Sequence, residues 1–194
     1  MLVVIQKINP HMRLGSVHLP DFAVFTGISA KRELEKKATS YLLEKMFNKP
    51  CELFYSEEGK PFLQSENCHI SISHSHDKLV ILCNSISPTG IDIELIRDKV
   101  LKIKDKFLSA EELKSAGNNI EKLIVYWAAK EALYKLYGLK EVEFARNLYI
   151  HPFELHYEGI LSGEIRMETF QKKAELHYEK LEDYMLVYVL NETE

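Results

Sequence analysis

Apolar and polar positions alternate along this chain with two periods, and the changes between them mark out the elements. The opening "MLVVIQKINP" is apolar over only a few residues, the length of a strand. Pro10, Gly15, Pro20 and Gly27 then break the pattern, which predicts an irregular segment over 8–28. "SAKRELEKKATSYLLEKMF" (29–47) is predicted helical, with Ser29 as N-cap, charges early and Tyr41, Leu42, Leu43, Met46 and Phe47 late. Short extended runs follow: "CELFY" (51–55), a turn at "SEEGKPF", then "HISIS" (69–73) and "KLVILCN" (78–84). The turn "SPTG" (87–90) leads into a further strand, "IDIELI" (91–96). Ser109 and Glu112 have the spacing of a capping box. A long helix is predicted from about Ile120 to Tyr137, closed by Gly138. Beyond it "RNLYI", "FELHY", "GEIRMETF", "AELHYE" and "YMLVYVL" alternate and are aromatic-rich, suiting an antiparallel sheet. Each half therefore runs from one main helix into several strands. The expectation is an α+β protein of two similar lobes, residues 1–88 and 89–194.

Composition narrows the class without changing that picture. With 194 residues, 46% of them hydrophobic, the chain has ample material for a core and reads as soluble and globular. A net charge of −4 argues against a broad nucleic-acid surface. No run approaches the ~18 apolar residues that span a bilayer. No basic stretch precedes the first apolar run and no small-residue cleavage site follows it, so it reads as a strand rather than a signal peptide. The three cysteines, Cys51, Cys68 and Cys83, form no CxxC and read as reduced thiols of a cytoplasmic protein.

The chemistry begins in "WAAKEALYKLYG" (127–138), where an apolar helix carries Lys130, Glu131 and Lys135. At 100° per residue Ile120, Leu123, Ile124 and Trp127 define one face, and Glu131 falls in its middle with Lys135 one turn on. A carboxylate there loses hydration and needs a cationic partner. That partner is either Lys135, in the favourable i,i+4 orientation, or a metal ion or ligand brought from outside the helix. "GIDIE" (90–94) bears on the choice, because Asp92 and Glu94 share one side of a strand. Paired carboxylates with no His or Cys beside them suit Mg²⁺ or Mn²⁺, unless they are merely a polar strand face. In "SISHSH" (71–76), His74 between Ser73 and Ser75 could donate to a phosphate, or be structural only; "GKPF" (59–62) is a turn from which Lys60 could reach one. Lys31 and Arg32 open the first helix, where on their own they read as a solvated first turn.

Taken in order, "GKPF", "ISISHS", "GIDIE", "KFLSAEE" and "WAAKEALYKLYG" resemble the Sfp-type 4′-phosphopantetheinyl transferases over roughly residues 59–138. The last three match the family's G-[IV]-D-[IV]-E, F-x-x-x-E and W-x-x-K-E-x-x-x-K signatures. The resemblance implies a pseudo-dimer of two α+β lobes, with coenzyme A and Mg²⁺ held in the cleft between them. It implies transfer of the phosphopantetheine arm to a serine of an acyl or peptidyl carrier protein, with release of 3′,5′-ADP. By position, Asp92, Glu94 and Glu131 would hold Mg²⁺ (or Mn²⁺), and Lys135 would bind a phosphate oxygen and stabilise the leaving group. Glu131 would also be the base for the serine hydroxyl. Ser73 and His74 would contact the coenzyme A phosphates, with Lys60 and Pro61 along the adenine. Lys130 matches the motif's first lysine and joins the cofactor-binding set, as do Lys31 and Arg32 for the family's N-terminal basic segment.

One element lies outside these signatures. "LIRDKVLKIKDK" (95–106) carries five basic and two acidic residues, +3, which leaves the rest of the chain at −7. Val100, Leu101, Ile103 and Phe107 interleave the charges, so residues 95–107 are expected to dock an acidic carrier protein, Lys102 and Lys104 included. The other expectation for them is a solvated helix face. The chain is expected to act as a monomer, without nucleic acid or membrane. Two other functions use the same residues: an Mg²⁺-dependent hydrolase of nucleotides or diphosphates, and a non-catalytic module that binds coenzyme A or carrier protein.

Overall fold

The computed structural model describes residues 2–64 and 66–193 of an α+β protein; Met1, with which the first predicted strand opens, lies outside them. The chain forms two units, Met1–Thr89 and Gly90–Glu194. In the first, strands β1 (Val3–Lys7), β2 (Met12–His18), β3 (Leu53–Tyr55), β4 (Pro61–Leu63), β5 (His69–Ser75) and β6 (Lys78–Asn84) form one sheet, ordered β1-β2-β6-β5-β4-β3. Every neighbouring pair in it is antiparallel. Helices α1 (Leu19–Thr26) and α2 (Lys31–Phe47) join it. α2 lies against β2 and β6 and buries Ala38, Leu42, Leu43 and Met46, which pack with Val17, Ile70, Leu79 and Ile81.

Two expectations for this unit change. The segment 8–28 is not irregular: it holds β2 and α1. Pro20 falls in the first turn of α1, where a missing amide breaks no helical hydrogen bond. The α2 N-cap is Ala30, without a side-chain bond, rather than Ser29.

The second unit holds β7 (Ile91–Leu95), a 3₁₀ turn over Asp98–Lys102, α3 (Lys104–Phe107), α4 (Ala110–Ala116), α5 (Ile120–Tyr137) and α6 (Phe144–Asn147). Strands β8 (Leu148–Ile150), β9 (Glu158–Arg166), β10 (Gln171–Leu181) and β11 (Tyr184–Thr193) follow, in a sheet ordered β7-β11-β10-β9-β8. "FELHY" adds no strand, and "RNLYI" divides between the end of α6 and β8. α5 packs on β7, β8, β9 and β11 and is buried around most of its circumference, at Leu123, Ile124, Val125, Tyr126, Ala128, Ala129, Ala132, Leu133 and Leu136. Among the described residues no helix is long and apolar enough to cross a membrane.

Two contacts fix α5 in place. A Cβ on Gly90 would stand 1.9 Å from the Ala132 carbonyl oxygen, so β7 approaches the helix closely only because residue 90 has no side chain. The second contact is a buried ion pair. Lys130, fully enclosed, donates from Nζ to Glu112 Oε2 at 2.8 Å and to the carbonyls of Phe107 (2.7 Å) and Phe144 (3.0 Å). Glu112 Oε2 also accepts the Ser109 amide at 2.7 Å in the capping box of α4, and its Oε1 accepts the Ile150 amide at 2.9 Å. Burial lowers the proton affinity of Lys130, and the facing carboxylate opposes that shift.

Lys130→Met therefore leaves a carboxylate buried without its cation, and should cost about 3–5 kcal/mol in urea unfolding. Pairing it with Glu112→Gln should recover part of the loss. Unfolding of Lys130→Met within about 0.5 kcal/mol of the parent would contradict the role assigned to this pair.

Candidate active site

Even-numbered residues of β7 face α5. Successive side chains of a strand point to opposite faces, so Asp92 and Glu94 follow Gly90 onto the helix side, while Ile91 and Ile93 are buried on the other. Each meets a different turn of the helix. Lys135 Nζ donates to Asp92 Oδ1 at 2.7 Å and to the Ile91 carbonyl at 2.9 Å. Trp127 Nε1 donates to Glu94 Oε1 at 2.9 Å. Glu131 lies one turn from each of these helix residues, since i and i+4 share a face. Lys135 thus crosses to the strand for its hydrogen bonds instead of closing an i,i+4 pair along the helix.

The three carboxylates sense one another. Burial, then repulsion from Asp92 and Glu94, pushes the Glu131 carboxyl up to about 7, with Lys135 acting in the opposite direction. A hard divalent cation is the partner that would relieve this repulsion, and an all-oxygen donor set fits Mg²⁺ or Mn²⁺. Among the described residues no three His, Cys, Asp or Glu side chains close into a coordination shell. Asp92 and Glu94 lean on Lys135 and Trp127, respectively.

The remaining candidates divide between the two units. In the first, Ser73 is buried in β5 and His74 beside it is exposed. His74 Nδ1 stands 3.5 Å from Glu35 Oε1, and Lys31 Nζ stands 3.8 Å from the same oxygen, so a β5 imidazole and an α2 ammonium meet on one carboxylate. Arg32 is exposed on the first turn of α2. Lys60 precedes Pro61, the first residue of β4, and its amide bonds Ser56 Oγ at 3.3 Å. In the second unit Lys130 does not reach a ligand surface: its three donors are engaged with Glu112 and two carbonyls, which corrects its place among the cofactor-binding residues.

Three participants are not evident from sequence. Glu112 is legible as a capping residue but gives no sign that it also holds Lys130. Glu35 lies one turn after Lys31, a spacing that could have signalled the pair. Trp127 shares the Glu131 face, and a donor-only indole on a half-buried face invites a search for its acceptor.

Residues 88–189, more than half of the chain, match the family described as the 4′-phosphopantetheinyl transferase superfamily. The chain is also similar to the 4′-phosphopantetheinyl transferase gsp of Aneurinibacillus migulanus, 35% identical over 88 residues, which are 43% of this chain and 36% of that relative. It is similar to the 4′-phosphopantetheinyl transferase psf-1 of Bacillus pumilus, 35% identical over 107 residues, 50% of this chain and 46% of that relative. The match thus spans less than half the length of either relative. The matched family segment contains Gly90, Asp92, Glu94, Trp127, Glu131 and Lys135, the residues that build the contact between β7 and α5. The chain belongs to the 4′-phosphopantetheinyl transferase superfamily.

Proposed function

We propose that the chain transfers the 4′-phosphopantetheine group of coenzyme A to a serine of an apo acyl or peptidyl carrier protein in the cytoplasm. The observation that carries this reading is the meeting of Asp92, Glu94, Glu131 and Lys135 within the family segment. In the reaction the serine Oγ bonds to the phosphorus that carries the pantetheine arm. The bond from that phosphorus to the 3′,5′-ADP oxygen breaks, and the serine proton leaves to a base. Asp92, Glu94 and Glu131 would hold Mg²⁺, which when bound neutralises charge on the diphosphate.

The chain's own groups supply the rest. Glu131 would take the serine proton, directly or through water. Lys135 donates to Asp92 and Ile91, and an ammonium's third N–H is available to a phosphate oxygen of the leaving group. In the first unit His74 and Lys31 would bind coenzyme A phosphate, His74 at the 3′-phosphate, with Ser73 and Arg32 adding donors. Lys60 and Pro61 would line the adenine.

The carrier protein would dock on residues 95–107, where Arg97, Lys99, Lys102 and Lys106 are exposed. Lys104 is engaged elsewhere, since its Nζ donates to Asn118 Oδ1 at 2.6 Å and to the Gly117 carbonyl at 3.2 Å, at the end of α4. Reversing it would disturb that helix end, so Lys102 and Lys106 are the better probes of docking.

Incubation with coenzyme A, Mg²⁺ and an apo carrier protein should add roughly 340 Da to the carrier, the mass of the arm moved to a serine nucleophile. Glu131→Gln should lose that gain while keeping its thermal unfolding. Coenzyme A breakdown without any carrier gain would favour a diphosphate hydrolase and overturn the transferase reading. Lys102→Glu with Lys106→Glu should raise KM for carrier protein about tenfold at low salt and leave KM for coenzyme A unchanged. Equal effects on both substrates would remove the docking role.

A further inference from the structure

Trp127 is the chain's single tryptophan, and it joins two environments. Its ring meets Phe107 edge-on at 5.0 Å between centroids and stacks on Phe144 at 5.6 Å. These rings, with Ile103 and Val142, line a cavity of about 480 Å³. The indole also borders a smaller cavity of about 180 Å³, lined by Glu94, Arg97, Lys99 and Ile124. At the boundary its Nε1–H donates to Glu94 Oε1.

This arrangement constrains Glu94 more than its strand does. A glutamate side chain on a half-buried surface retains several rotamers, and ordering it costs conformational entropy. An indole N–H can only donate, so it holds a carboxylate oxygen and never competes for a cation. The bond to an ionised group is of the stronger, charge-assisted kind. The donor is itself held between two aromatic rings, on the helix face that carries Glu131 four residues later. Both carboxylates are thereby referred to one rigid element.

We propose that Trp127 is a positioning residue: its indole N–H restrains the Glu94 carboxylate on the α5 side of β7, which limits the rearrangement Glu94 needs to share a divalent cation with Asp92 and Glu131. The proposal rests on the cation reading above, and metal binding without coenzyme A or carrier tests it apart from turnover. Because the chain has one tryptophan, residue-wide replacement by its benzothienyl analogue changes only position 127, exchanging N–H for sulfur while keeping the ring shape. Replacement by 7-azatryptophan keeps the N–H and serves as the control.

Bound Mn²⁺ is counted by the loss of the free-ion electron paramagnetic resonance signal, with circular dichroism confirming the fold. The benzothienyl protein and Trp127→Phe should each bind Mn²⁺ about tenfold or more weakly, the usual cost of losing a partner that orients a metal ligand. The aza control should bind like the parent. At saturating metal, KM for coenzyme A should not change. If Trp127→Phe alone weakens Mn²⁺ binding, the ring acts through packing and the N–H role is overturned. Unchanged binding in both altered proteins overturns it as well. A parent protein that takes up no Mn²⁺ at millimolar concentration removes the cation reading, and this proposal with it.

Discussion

The enclosed Lys130–Glu112 pair is the constraint around which the second unit is arranged. Neither group could stand alone at that depth, because an uncompensated charge in low dielectric costs several kcal/mol. Each is satisfied several times over: the ammonium by a carboxylate and two carbonyls, the carboxylate by the ammonium and two backbone amides. Those partners come from α3, the capping turn of α4, α5, the start of α6, and β8. Five separate elements must therefore be in register before either charge can be buried. A hydrophobic pair of similar volume would pack, but it would not specify which carbonyls and amides meet.

The same helix meets β7 through a different device. Gly90 lets the strand pass within van der Waals reach of the Ala132 carbonyl, which no residue with a Cβ permits. The two periods then do the placing. Every second residue of the strand faces the helix, and residues one turn apart on the helix face the strand. Asp92 consequently meets Lys135, Glu94 meets Trp127, and Glu131 lies between them. The geometry of the candidate site follows from a close approach and two periodicities, with no specialised loop.

That logic explains what the sequence could disclose. α5 is legible along its length because its apolar content and its terminal glycine agree. The capping box at Ser109 and Glu112 is legible for the same reason. The segment 8–28 escapes a local pattern because Gly15 and Pro20 look like breakers and are not. Gly15 sits in β2 beneath Met46 and Leu42, where a Cβ would stand 2.7 Å from the Met46 sulfur, and Pro20 begins a helix. Both residues answer to packing or helix-start chemistry that a local pattern does not register. Lys130 misleads for a related reason. Its neighbours in sequence are candidate site residues, but its partner is eighteen positions away. Asp92, Glu94 and Glu131 stand out because strand and helix periods predict a shared face; their hydrogen-bond partners do not, because those depend on how the two elements dock.

Lys130, Glu131 and Lys135 are close in sequence yet answer three separate physical problems. Lys130 offsets a buried carboxylate and contributes to the fold. Lys135 crosses to Asp92 and leaves Glu131 only partly compensated. Glu131 holds its proton up to about pH 7 because burial and two like charges act against its ionised form. An arrangement of this kind lowers stability, since the folded chain holds near one another groups that water would keep apart. It persists only where the surrounding structure allows no relaxation. The Gly90 contact, the aromatic clamp on Trp127 and the Lys130 network each deny α5 the small rotation that would let the carboxylates separate. The repulsion among the carboxylates is thereby retained in the folded unit.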